Sequence, residues 1–137
     1  MDCKLQYLGE GRNRTAYKIV VGGKPTGLVV KICKKTPTES LRESEAIEYW
    51  KGDPVVEPHL PTIFAHDKVT GTVVMPEYGK AERRMVRELE TYLCEKLDKP
   101  SIKLEAKQIG TDANGTVVML DMAEMLPRRK PRRICIS

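Results

Sequence analysis

The sequence is poor in aromatic residues and has no long apolar run. Only 5% of its 137 residues are aromatic, so aliphatic side chains must fill most of the core. No stretch approaches the ~20 apolar residues that a membrane-spanning helix needs, and no signal peptide follows Met1. We therefore expect one cytoplasmic domain that does not contact a membrane.

Metal-binding and disulfide patterns are also missing. The four cysteines form no C-x-x-C pair, and the two histidines are not spaced as metal ligands beside them. This excludes a structural zinc site of the common kinds. Unpaired cysteines in apolar segments indicate free thiols in a reducing compartment.

Positive charge is concentrated at the carboxy-terminal end. The net charge is +5, and five cations in the last ten residues equal this excess. We call them the basic tail: Arg128, Arg129, Lys130, Arg132 and Arg133. Such a cluster can bind nucleic acid or an acidic protein, although no aromatic residue stands between the cations for base stacking. The alternative is an end that only improves solubility.

The order of strand and helix patterns predicts an α+β fold. Strands are expected at residues 5–8, 15–21, 27–33, 62–66 and 72–75, and a helix at 39–51. Pro25 is expected to keep the second turn out of the ladder, and Thr38 or Ser40 to cap the helix. These elements predict a five-stranded antiparallel sheet with one packed helix. A helix at 81–96 and a β-hairpin at 106–110 and 117–121 follow.

Two motifs near the start carry the strongest chemical signal. Gly9 and Gly11 lie in the turn between the first two predicted strands, where backbone N–H groups can hold phosphate. Arg12 and Arg14 follow directly and favour an anion. Lys31 stands inside the apolar run Val-Val-Lys-Ile of the third strand, where it can contact phosphate. The alternatives are an ordinary β-turn and a lysine that faces solvent.

The order and spacing of these motifs resemble the amino-terminal lobe of a protein kinase. The resemblance implies ATP and Mg²⁺ as cofactors and a helix glutamate that pairs with Lys31. Glu45 is the expected partner and Glu48 the alternative. Met75 takes the gatekeeper position, and Glu77 lies in the hinge at residues 76–80, whose backbone meets adenine in this family.

The second half resembles a reduced carboxy-terminal lobe. Residues 108–121 look like the hairpin that leads to the metal-binding aspartate, so the resemblance implies that Asp121 binds Mg²⁺. The alternative is an aspartate that merely ends a strand. Lys103 and Gln108 stand where the family has its catalytic aspartate and second metal ligand, and only sixteen residues follow Asp121. A lysine cannot accept the substrate proton.

This resemblance implies a single kinase-like domain at residues 1–126, followed by a tail at 127–137. Residues 1–79 would form the amino-terminal lobe and 80–126 the remnant of the second lobe. Because catalytic groups are missing, we expect an inactive kinase-like regulator or inhibitor that binds a protein partner. Small host-modulating proteins of bacteriophages are of this kind, and such a protein would act in the host cytoplasm.

Two other functions are compatible with the sequence. The first is a minimal ATP-dependent kinase that uses Lys31, Glu45 and Asp121, with Glu105 as the nearest replacement for the missing base. The second is a nucleic-acid-binding protein that acts through the basic tail.

Overall fold

A computed structural model of the chain describes residues 2–97, 104 and 108–122. The basic tail, Lys103 and Glu105 lie outside the described residues. Five antiparallel strands form the first sheet in the order β1-β2-β3-β5-β4. Their bounds are Cys3–Glu10 for β1, Arg14–Val21 for β2, Lys24–Cys33 for β3, Ala65–His66 for β4 and Val73–Pro76 for β5. The expected five-stranded antiparallel sheet is therefore confirmed.

The third strand begins at Lys24, three residues before the predicted start at residue 27. Pro25 lies inside β3 and pairs with Val20, so the expectation that it stays outside the ladder is wrong. The pairing of β2 with β3 is irregular between Lys18 and Val20. Proline has no backbone N–H, and Pro25 lies at the hairpin end of the ladder, where a missing donor is tolerated. The hydroxyl of Thr26 donates to the Ile19 carbonyl at 2.7 Å and adds a contact there.

Helix α1 runs from Thr38 to Trp50, close to the predicted bounds. Neither predicted residue caps it, because the helix begins after Pro37 and no side chain bonds its first N–H groups. Ser40 is instead buried beneath the sheet, where its hydroxyl contacts the Arg14 side chain. Helix α2 spans Arg83–Lys96 and buries Val86, Leu89 and Leu93, which recur at helical spacing.

A second sheet follows the first. Strands β6 (Gly79–Lys80), β7 (Ile109–Thr111) and β8 (Val117–Met119) pair in that order. The predicted hairpin is present, with β8 ending at Met119 instead of residue 121, and residues 106–107 of its first predicted strand lie outside the described residues. Strand β6 was expected only as a hinge. Gly79 and Gly110 allow this pairing, because a Cβ on either one would lie 2.8 Å from an atom of the neighbouring strand or turn.

The main core lies between the two helices and the second sheet. Its buried members come from α1, α2, the segment after α1, and the β7–β8 hairpin: Ala46, Trp50, Val56, Val86, Leu89, Leu93, Ile109, Met119 and Met122. The first sheet is buried around Val29, Val30, Val73 and Met75. In the part of the chain that the structure describes, no helix is long and apolar enough to cross a membrane.

Candidate functional site

A cleft of about 680 Å³ opens where the turn after β1, strand β3, helix α1 and the second sheet meet. Its volume falls in the range of small-molecule sites, roughly 300–1,000 Å³. Several residues singled out from the sequence line it together: Gly9, Gly11, Arg12, Arg14, Lys31, Gln108 and Asp121. Glu10, Asn13, Ala16, Glu39, Arg42 and Leu120 complete the wall. The fold thus brings distant parts of the sequence to one cleft.

Lys31 points into this cleft. On β3 it lies opposite Ala16 of β2 and Val73 of β5, so its side chain leaves the sheet on their common face. Its Nζ donates a hydrogen bond to the Leu120 carbonyl at 2.9 Å. Burial lowers the pKa of Lys31, although the charge of Glu43 opposes this effect. The lysine therefore ties β3 to the end of β8.

The helix glutamate at the site is Glu43, so the choice of Glu45, with Glu48 as the alternative, is not supported by the geometry. Glu45 and Glu48 are exposed, whereas Glu43 is 1% exposed. Helical spacing explains this result. Glu43 lies three and seven residues before Ala46 and Trp50, which are both buried, while Glu45 projects from another face.

Arg14, not Lys31, is the hydrogen-bonded partner of Glu43. Its guanidinium donates two bonds to the carboxylate, at 3.0 and 3.2 Å, and the two side chains are only 9% and 2% exposed. The Met122 N–H also donates to Glu43, at 3.3 Å. A bidentate pair of this kind is strong when it is shielded from water.

Opposing effects set the pKa values of this pair. Burial alone would raise the pKa of Glu43, but its hydrogen bond to Arg14 and the charges of Lys31 and Arg14 lower it. Burial alone would lower the pKa of Arg14, but Glu43 raises it. Both groups are therefore charged at neutral pH, and the pair joins β2, α1 and the segment after β8.

Asp121 lies in the cleft, where one of its carboxylate oxygens accepts a hydrogen bond. The Gln108 amide donates a hydrogen bond to Asp121 Oδ2 at 3.3 Å. In protein kinases an asparagine of the catalytic loop and the aspartate of the D-F-G motif hold the metal ions. Here the two side chains bind each other directly. Within residues 2–97, 104 and 108–122, no three or more His, Cys, Asp or Glu side chains could hold a metal ion together.

Met75 and Glu77 do not line the cleft. Met75 is 2% exposed and lies opposite Val29 within the first sheet. The Glu77 N–H donates to the Gly27 carbonyl at 2.8 Å, and its carboxylate pairs with Lys18 at 3.0 Å. The backbone donor that a hinge would offer to adenine is thus already used.

The cleft also contains charged residues that the motifs did not indicate. Arg42 and Glu39 line its α1 side, and the Asn13 amide donates to Glu39 at 3.1 Å. Helical spacing could have found them, since Glu39 lies four residues before Glu43 and Arg42 lies three residues after Glu39. Placing Glu39 and Arg42 in this way requires knowing that Glu43 faces the site, and the sequence motifs indicated Glu45 instead.

Comparison with known proteins adds no assignment. No protein-family model and no curated protein matches this chain.

Proposed function

We propose that this protein is a catalytically inactive, kinase-like regulator that binds a nucleotide in the cleft. The observation that carries the proposal is the convergence of Gly9, Gly11, Lys31 and Asp121 on one cleft of ligand size. Glycines leave room for phosphate near the backbone, and a lysine supplies positive charge. The kinase likeness remains an inference from motif order and from this convergence.

We expect no phosphotransfer, because of how the side chains in the cleft are engaged. Gln108 is hydrogen-bonded to Asp121, and Glu43 is held by Arg14 rather than by Lys31. A nucleotide would therefore meet a lysine and a glycine turn, but not the paired metal ligands that phosphoryl transfer uses in kinases. The cleft can hold phosphate without activating it.

Thermal unfolding with and without ATP tests nucleotide binding. A ligand that binds only the folded state raises the midpoint by mass action. We expect a rise for the wild type and for Lys24→Ala, a control on the same strand outside the cleft, and none for Lys31→Ala. If millimolar ATP shifts no midpoint, with or without Mg²⁺, the proposal is wrong.

The regulatory part of the proposal concerns the β1 edge of the first sheet, with which no strand among the described residues pairs. Strand β1 is an edge strand, and Leu5, Tyr7 and Leu8 are 49%, 58% and 46% exposed. An exposed strand edge with apolar side chains can accept an extended segment of another protein. A protein partner at this edge is consistent with a regulator or inhibitor, including one made by a bacteriophage to act on its host.

The minimal kinase is a second candidate, favoured only by Lys31 and Asp121 sharing the cleft. Its helix glutamate would have to be Glu43 instead of Glu45. Transfer of label from ATP to the protein, lost in Lys31→Ala, would establish it. Absence of transfer with Mg²⁺ and with Mn²⁺ would exclude it.

Nucleic-acid binding through the basic tail is also still a proposal. Removing residues 127–137 should abolish binding to RNA and DNA if the tail is responsible. The salt dependence of any residual binding should then flatten, because fewer phosphates are neutralised.

A further inference from the structure

The cleft contains two arginines that form no ion pair with any residue the structure describes. Arg12 follows the glycine turn and Arg42 lies on α1, and both line the cleft. Both are exposed, whereas the neighbouring Arg14 and Lys34 are paired with Glu43 and Glu10. A guanidinium stays charged at any physiological pH and binds phosphate through two parallel hydrogen bonds.

The acidic groups of the cleft are already engaged. Glu10 is paired with Lys34, and Glu39 accepts a hydrogen bond from Asn13. Asp121 accepts one from Gln108. A hydrogen bond from a neutral amide does not cancel the charge of a carboxylate, but four basic residues line the cleft (Arg12, Arg14, Lys31 and Arg42) against three acidic ones (Glu10, Glu39 and Asp121). The cleft is therefore better supplied for an anion than for a metal ion.

Lys31 adds an amino group deeper in the same cleft, and an anionic ligand beside it would favour its charged form. Its Nζ donates one hydrogen bond to the Leu120 carbonyl and retains other N–H donors for a ligand. The two arginines and this lysine come from the first turn, from α1 and from β3, so they approach the cleft from different sides. Such a set of cations suits a chain of phosphates more than a single carboxylate.

We propose that the cleft binds the phosphates of a nucleoside polyphosphate without a divalent cation. Arg12 and Arg42 neutralise the phosphate charge that a magnesium ion neutralises in active kinases, and Lys31 holds the phosphate nearest the glycine turn. This inference depends on the nucleotide binding proposed above, but it specifies a different chemistry for that binding.

The test is a titration of the full chain with ATP, in excess EDTA and again in excess Mg²⁺, by isothermal calorimetry. We expect binding at least as tight in EDTA, because Mg²⁺ reduces the ligand charge that the arginines recognise. The variant Arg12→Gln/Arg42→Gln should bind about tenfold or more weakly, a loss of about 1.4 kcal/mol or more. Arg83→Gln, an exposed change on α2, is the matched control and should bind like the wild type.

Each outcome of this titration is informative. Binding that requires Mg²⁺ would overturn this inference and leave nucleotide binding in place. Binding in EDTA that is unaffected by the two arginine changes would overturn the role of Arg12 and Arg42. Absence of binding in both solutions would overturn this inference and the nucleotide binding together. Because both arginines are exposed, the midpoint of the unliganded variant should match the wild type and confirm that it is folded.

Discussion

Replacement of Glu43 by glutamine should cost this protein a large part of its stability. The change keeps the size of the side chain but removes a charge that is 2% exposed. Arg14 would lose both of its charged hydrogen bonds, and Lys31 would lose the largest favourable charge effect in its buried surroundings. Removing one partner of a buried ion pair costs about 3–5 kcal/mol, because the other charge stays buried without compensation.

This loss is large compared with the total free energy of unfolding of a typical domain, about 5–15 kcal/mol. Urea unfolding followed by the fluorescence of Trp50 measures it directly. Trp50 is the only tryptophan, is 8% exposed and lies on the same helix face as Glu43. Glu45→Gln, an exposed change on the same helix, is the matched control and should leave the urea midpoint close to that of the wild type.

A double-mutant cycle separates the ion pair from other effects of the substitution. Glu43→Gln and Arg14→Met should each destabilise the fold, but together they should cost less than the sum of the two. The difference, a coupling energy, should be about 1–3 kcal/mol for two groups in direct contact. Additive costs, or a Glu43→Gln loss no larger than that of Glu45→Gln, would refute the reasoning that this pair stabilises the fold.

Three further predictions concern the Glu43 carboxylate, the turn at Gly71 and the core at Leu93. The pKa of Glu43 is lowered in the folded state from its ordinary value of 4.5. Its carboxylate therefore stabilises the fold fully at a pH above 4.5, and this stabilisation is lost as the pH falls through the lowered pKa. Acid titration of unfolding should therefore show a steeper loss below pH 4.5 for the wild type than for Glu43→Gln; equal slopes would contradict this assignment. Gly71→Ala should destabilise more than Gly23→Ala in thermal unfolding, because both have positive φ but only Gly71 would place its Cβ 2.7 Å from Cys33 Sγ; equal midpoints would show that the close approach relaxes freely. Leu93→Ala should cost about 2–5 kcal/mol in urea unfolding because Leu93 is 0% exposed, and a cost below 1 kcal/mol would argue against the core described between the helices.

The strands and helices could largely be predicted from local patterns. β-branched runs bounded by glycine and proline indicated the first sheet, and helical spacing indicated α2 to within two residues. The pairing of β6 with β7 could not be predicted, because a two-residue strand has no pattern of its own. It depends on the close approach that Gly79 and Gly110 permit.

The candidate site was predictable only in part. Gly9, Gly11, Lys31 and Asp121 could be placed together because a known motif order connects them. Glu43 could not be chosen over Glu45 from motif spacing alone, since both lie on one short amphipathic helix. The choice depends on which helix face the sheet covers. The contact between Arg14 and Glu43 joins residues that are 29 positions apart, so no local sequence pattern could predict it.

The measurement that tests the central claim most directly is equilibrium binding of radiolabelled ATP to the purified protein by dialysis. We expect one ATP bound per chain, with binding retained in Lys24→Ala and lost in Lys31→Ala. We also expect no label to become covalently attached to the protein. Absence of binding to the wild type, or equal binding to wild type and Lys31→Ala, would contradict the assignment of this cleft as the nucleotide site.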